Sequence, residues 1–101
     1  MNVIHRQVLE LADKQTLKIK GFRKILQIRE ARDGEAFGAF EIWYTCDPQF
    51  GWSKSVNIYI AGTGHPVDKS WDYITTCMTN GGNFVWHFFT DGEWNKEEDN
   101  E

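Results

Sequence analysis

No stretch of this sequence carries apolar residues at the three-and-four spacing of an amphipathic helix over more than a turn. That absence removes helix bundles and α/β architectures from consideration. No apolar run approaches the roughly 18 residues that a membrane-spanning helix needs, and Met1–Arg6 lacks the basic-then-apolar order of a secretion signal. Cysteine is almost missing: Cys46 and Cys77 each sit inside an apolar alternating stretch. They read as buried free thiols in a cytosolic protein, not as a disulfide framework. The three histidines, His5, His65 and His87, have no partner at metal-ligand spacing and no cysteine close in sequence, so no metal site is expected. There are no internal repeats.

Aromatic residues are abundant, with five Trp, seven Phe and three Tyr. Large flat side chains favour half-buried pleated surfaces. Charge is divided unevenly. From Asp91 onward six carboxylates stand against the single Lys96, a net −5, while the preceding ninety residues are close to neutral. Between positions 14 and 32, Lys14, Lys18, Lys20, Arg23, Lys24, Arg29 and Arg32 are opposed only by Glu30. A basic flank and an acidic tail therefore belong to one small chain. Its length suits one β-rich domain over residues 1–91, followed by a polar, acidic tail over 92–101 too poor in apolar residues to fold, and hence disordered.

Alternation marks strands at Val3–Leu11, Thr16–Lys20, Ile25–Arg29, Ala36–Asp47, Ser55–Ala61, Trp71–Thr79 and Phe84–Phe89. In the third, Leu26 and Ile28 are expected to oppose Gln27 and Arg29; in the sixth, Tyr73, Thr75 and Cys77 oppose Ile74, Thr76 and Met78. Asp33-Gly34 and Asn80-Gly81-Gly82-Asn83 are hairpin-turn signals. Phe84–Phe89 is apolar on both faces, as befits a central strand covered on each side or by another subunit. Six or seven short strands with regular turns predict an all-β or β-rich α+β fold, a small antiparallel barrel or sandwich.

The most specific local feature is the strand Val56–Ala61 ending in Gly62-Thr63-Gly64-His65-Pro66. Both glycines permit positive φ, and Pro66 pushes His65 toward extended geometry. Three chemistries fit such a loop. A catalytic one would use His65 as base, Asp68 or Asp72 to orient it, and Ser70 or Thr63 as nucleophile. A ligand-binding one would cradle an anion on the N–H groups of Gly62 and Gly64, drawing charge from the basic flank and stacking a base on Trp52 or Trp71. A protein-binding one would use aromatics such as Phe50 and Trp52 in the Asp47–Ser53 connection, with the acidic tail steering approach, although the plainer expectation is that these two rings fold back as a lid on the core. The spacing demands none of them. The plain alternative is a tight turn at a strand end.

Several segments in order carry a resemblance: Leu9-Glu10-Leu11, Lys24-Ile25-Leu26, Ile42-Trp43, Ile58 through Val67 with the Gly-Thr-Gly-His-Pro core, Asp72-Tyr73-Ile74, and Gly81 through Phe89 ending Val-Trp-His-Phe-Phe. Over roughly residues 3 to 90 the chain resembles a family of small uncharacterised bacteriophage proteins. It departs in the longer Asp47–Ser53 connection and in the acidic extension. The resemblance implies an accessory protein acting in the host bacterial cytoplasm, without a cofactor, and by association an inhibitor of host defence. The expected function is docking on a host defence protein or complex, such as a CRISPR effector. Contacts are expected from Phe50, Trp52 and the loop Gly62, Thr63, Gly64 and His65. The chain is expected to self-associate through an aromatic strand face and to have no membrane partner. The alternatives are a sponge for a nucleotide signal, held by that loop, Trp71, Arg23, Lys24 and Arg29, and a minor virion protein.

Overall fold

The computed structural model describes residues 1–32 and 40–92. The expected Asp33-Gly34 turn, the start of the fourth strand at Ala36 and the tail beyond Gly92 lie outside the described residues. The fold is all-β, a sandwich of two antiparallel sheets. One holds β1 (Val3–Leu9), β4 (Phe40–Cys46) and β3 (Phe22–Glu30), in the order β1-β4-β3. The other holds β2 (Lys14–Lys20), β5 (Ser53–Gly62), β7 (Phe84–Thr90) and β6 (Asp72–Thr79), in the order β2-β5-β7-β6. The expected β6–β7 hairpin turn is a 3-10 turn at Asn80–Gly82, with Gly81 and Gly82 at φ 66° and 94°.

The two sheets share one long ribbon. β3 pairs with β4, β2 pairs with β5, and the chain passes from β2 to β3 through Gly21 alone. The partner side crosses between sheets over Asp47–Trp52. Gly21 N–H donates to Trp52 O (2.8 Å) and Asp47 N–H donates to Gly21 O (2.8 Å), so the ribbon stays hydrogen-bonded through the bend. Gly21 has φ 67°, and a Cβ there would lie 2.1 Å from Asp47 O. Only glycine combines that backbone angle with that approach.

Folding the ribbon over turns its two halves face to face. Inward positions at period two supply the core: Leu17 and Ile19 from β2, Phe40, Ile42, Tyr44 and Cys46 from β4, Val56, Ile58 and Ile60 from β5, and Phe88 from β7. Phe40 and Phe88 meet edge to face across the layers, centroids 4.8 Å apart, and neither is exposed. Cys46 and Cys77 are buried and unpaired, as expected from the sequence.

Three expectations need correction. β3 breaks register at Phe22/Lys24 and again at Ile25/Gln27, so Ile25 and Ile28 face inward and Leu26 is 43 % exposed. β6 breaks register between Tyr73 and Thr75, which puts Ile74 against the core with Cys77 and leaves Tyr73, Thr76 and Met78 pointing outward. Each bulge inserts one residue and reverses the parity beyond it. Finally, β1 ends at Leu9, two residues short of the expected Leu11, which is exposed.

Candidate functional site

The Gly62–Pro66 segment is a tight β-turn closed by His65 N–H donating to Gly62 O (3.0 Å), with Gly64 at φ 90°, the value a type II turn requires at its third residue. Gly62 does not take the positive φ expected of it. Its hydrogen side chain matters for a different reason: a Cβ would sit 3.2 Å from His65 Cε1, because the imidazole folds back over it. Gly62 N–H donates to His65 Nδ1 at 3.3 Å. Of the two N–H groups the anion cradle would use, that of Gly62 is therefore spent inside the turn.

The catalytic constellation is not assembled. Asp68 accepts from the backbone N–H and hydroxyl of Ser70 (2.8 and 2.7 Å). The Ser70 hydroxyl and then its N–H hold the Asp68 carboxyl below the usual range, with slight burial opposing them. Thr63 turns to a different histidine. Its Oγ1 lies 2.9 Å from His87 Nε2, while His87 Nδ1 lies 3.0 Å from Thr76 Oγ1, which in turn is 2.7 Å from the Tyr73 hydroxyl. His87 faces outward from β7, in a relay of hydroxyls linking the turn to β6. Among the described residues no group of three or more His, Cys, Asp or Glu side chains is placed to hold a metal ion.

Trp71 stacks on Tyr59 with centroids 4.0 Å apart and planes 14° apart, and Phe89 lies 6.0 Å from Trp71 and 5.8 Å from Tyr73. This aromatic layer lies on the outer face of β5 and β7, with Trp71 and Tyr73 flanking Phe89. A cavity of about 260 Å³ opens between Trp71, Ala61 and the His65–Pro66 turn. Trp71 and His65 thus come together.

A second cluster occupies the bend of the ribbon. Phe50 and Trp52 meet edge to face at 5.5 Å, Arg23 lies 5.4 Å over the Phe50 ring, and its guanidinium is 3.9 Å from Asp47. Neither ring joins the core. Phe50 is half-buried and Trp52 is 37 % exposed. Asp47 accepts from Phe50 N–H (3.0 Å) through its carbonyl and from Gln49 N–H (3.0 Å) through its carboxylate, which fixes the connection that carries them.

Lys24 and Arg29 lie elsewhere again, opposite Thr45 and Glu41 on the sheet that contains β3. Arg29 lines a shallow groove of about 390 Å³ between the edges of β3 and β6, where the Cys77 thiol donates to Ile28 O at 3.3 Å. Beside it Glu41 is fully buried on the outer side of β4. Its Oε2 accepts from Arg32 N–H and Nε–H, both at 3.0 Å, with Arg6 at 3.8 Å. The Arg32 backbone N–H is the main cause holding its carboxyl below the ordinary range, against burial and with help from both guanidiniums. Sequence reading singled out neither Glu41 nor the Tyr73–Thr76–His87 relay, because both depend on cross-strand register.

The structure thus divides the expected site residues among three places: Gly62, Thr63, Gly64, His65 and Trp71 on the four-stranded sheet; Arg23, Phe50 and Trp52 at the bend; Lys24 and Arg29 on the three-stranded sheet. A comparison with family models matches residues 1–99 to a domain of unknown function, DUF7352. The chain belongs to the DUF7352 family. That membership covers both sheets and all three places, and it attaches no chemistry to any of them. No curated protein and no solved structure matches the chain.

Proposed function

We propose that this protein works by binding: it docks on a component of a bacterial defence system and blocks it, with the Arg23–Phe50–Trp52 cluster at the centre of the contact. The observation that carries the reading is the placement of that cluster. Two aromatic rings and a guanidinium pack on one another outside the core, on a connection hydrogen-bonded to Gly21 and to itself. Trp, Tyr and Arg dominate the energetics of protein interfaces, and a contact held rigid before binding loses little conformational entropy on association. The bacteriophage resemblance supports the choice of a bacterial defence partner, by association alone.

Sequestering a nucleotide between the glycine turn and Arg23, Lys24 and Arg29 is not favoured, since these groups lie in separate places and the Gly62 N–H is turned to His65. The test is phage plating on bacteria carrying individual defence systems, CRISPR effectors among them. The wild-type protein is expected to restore plaques on at least one, and Trp52→Ala to remove at least tenfold of that effect while melting within a few degrees of wild type. Full activity in a Phe50→Ala/Trp52→Ala variant removes the bend from the contact. No restoration across the panel removes the function.

A further inference from the structure

The outer face of the β2-β5-β7-β6 sheet has a makeup that defence-protein docking at the bend does not use. β2 is an edge strand, and its outward positions at period two are Lys14, Thr16, Lys18 and Lys20, all exposed. Among the described residues no ion pair engages any of the three lysines, and Lys14 reaches over the Tyr59 ring at 5.8 Å. Inward from this row the aromatic layer begins. Phe89 lies between Trp71 and Tyr73, roughly 6 Å from each, and Tyr73 is 61 % exposed. The Tyr73 hydroxyl is tied to Thr76, which fixes its ring at the surface. Asp91, half-buried just beyond β7, has Oδ2 occupied by the Tyr59 hydroxyl (2.7 Å) and Asn57 amide (3.0 Å), and Asp72 stands exposed beside Tyr73 at the start of β6.

We infer that this face binds single-stranded nucleic acid, with phosphates along Lys14, Lys18 and Lys20 and unpaired bases on Trp71 and Tyr73. The chemistry is complementary on both counts. A charged row on an edge strand, its members about 6.8 Å or a multiple apart, tracks a polyanion, and aromatic rings on a sheet stack bases with little regard to sequence. A duplex hides its base faces and satisfies only the lysines. The cavity of about 260 Å³ beside Trp71 leaves that ring accessible from the side of the His65–Pro66 turn.

The test titrates fluorescein-labelled dT12, U12 and a 12-base-pair DNA duplex with the full chain, by anisotropy in 25 mM salt and then at rising salt. Both single strands are expected to bind, tighter than the duplex, with a slope of log K against log salt near −2, about 0.7 for each of three phosphates. Lys14→Glu/Lys18→Glu/Lys20→Glu should abolish binding. Tyr73→Ala should weaken it by about 5- to 150-fold, the range for losing one base stack. Lys24→Glu, on the other sheet, should leave it unchanged. Circular dichroism melting confirms that each variant folds. Absence of single-strand binding at 100 μM protein overturns the inference, as does duplex binding of equal strength or indifference to the β2 lysines. A dimer seen in sedimentation, dissociated by Tyr73→Ala and binding no oligonucleotide, overturns it and assigns the face to a second copy of the chain.

Discussion

Replacing Gly21 with alanine tests the idea that one residue holds the two sheets in register. The backbone there has φ 67°, and the new Cβ would approach Asp47 O to 2.1 Å, Asp47 C to 3.0 Å and Phe50 Cβ to 3.1 Å. The left-handed angle alone costs an alanine about 1–2 kcal/mol. The clash is with backbone, not with a flexible side-chain end, so relief requires the bend to open. Opening strains the Gly21 N–H to Trp52 O and Asp47 N–H to Gly21 O bonds, each contributing a net of about 0.5–1.5 kcal/mol. The expected loss is about 2–5 kcal/mol, a large part of the roughly 5–15 kcal/mol that stabilises a domain. Gly64→Ala is the matched control. Gly64 is also left-handed, at φ 90°, but nothing lies within 4 Å of its added Cβ, so it should lose only the strain of about 1–2 kcal/mol. Urea denaturation followed by tryptophan fluorescence reads both, as a shift in midpoint at unchanged slope. At about 4–8 °C per kcal/mol for a domain of this size, the melting temperature of Gly21→Ala should fall by at least 8 °C. A Gly21→Ala protein no less stable than Gly64→Ala refutes the argument: the close approach at the bend would then carry no energy.

Three further outcomes follow from buried groups. Phe88→Ala removes a fully buried ring that meets Phe40 across the two sheets, and equilibrium unfolding should show a loss of about 3–5 kcal/mol. Glu41 has its folded carboxyl below the unfolded value, chiefly through the Arg32 N–H, so its contribution is whole above the ordinary glutamate value of 4.5 and disappears as pH falls through the depressed folded one. Melting temperature measured from pH 7 to pH 2 should fall less steeply in that acid range for Glu41→Gln than for wild type, and parallel curves would contradict the assignment. Burial pushes the Cys77 thiol up, with Arg29 pulling weakly the other way, so iodoacetamide at pH 8 should label it slowly in the native protein and fast in 6 M guanidinium. Mass spectrometry of the modified peptide distinguishes it from Cys46.

How far the sequence reveals the fold depends on whether a strand keeps its parity. β2, β4 and β5 alternate without interruption, and their inward residues are those the alternation names. β3 and β6 carry bulges, and no side chain announces one: Leu26 looks as much like a core residue as Ile25 or Ile28 until the register with β4 is known. The glycine turn is visible in outline, while the function of Gly62 is not, because it depends on where the His65 ring comes to rest. His87 is hidden for the same reason. Its partners Thr63 and Thr76 lie 24 and 11 residues away and are brought together by pairing of β7 with both neighbours.

The basic flank shows what linear order conceals. Lys14 through Arg32 reads as one positive segment, but Gly21 turns the ribbon over in its middle. Lys14, Lys18 and Lys20 go to the outer face of one sheet, and Lys24 and Arg29 go to the other, with Arg23 at the bend against Asp47 and Phe50. A single polyanion cannot span both sets without wrapping the edge of the sandwich. The two surfaces are therefore separable by mutation. If docking at the bend and binding on the aromatic sheet are both real, Trp52→Ala should remove the first and spare the second, Tyr73→Ala the reverse, and their effects should add, because no described contact links the two rings. A Trp52→Ala protein that loses oligonucleotide binding while keeping its melting temperature would show that the fold couples the two faces, and the separation argued from the Gly21 bend would fail.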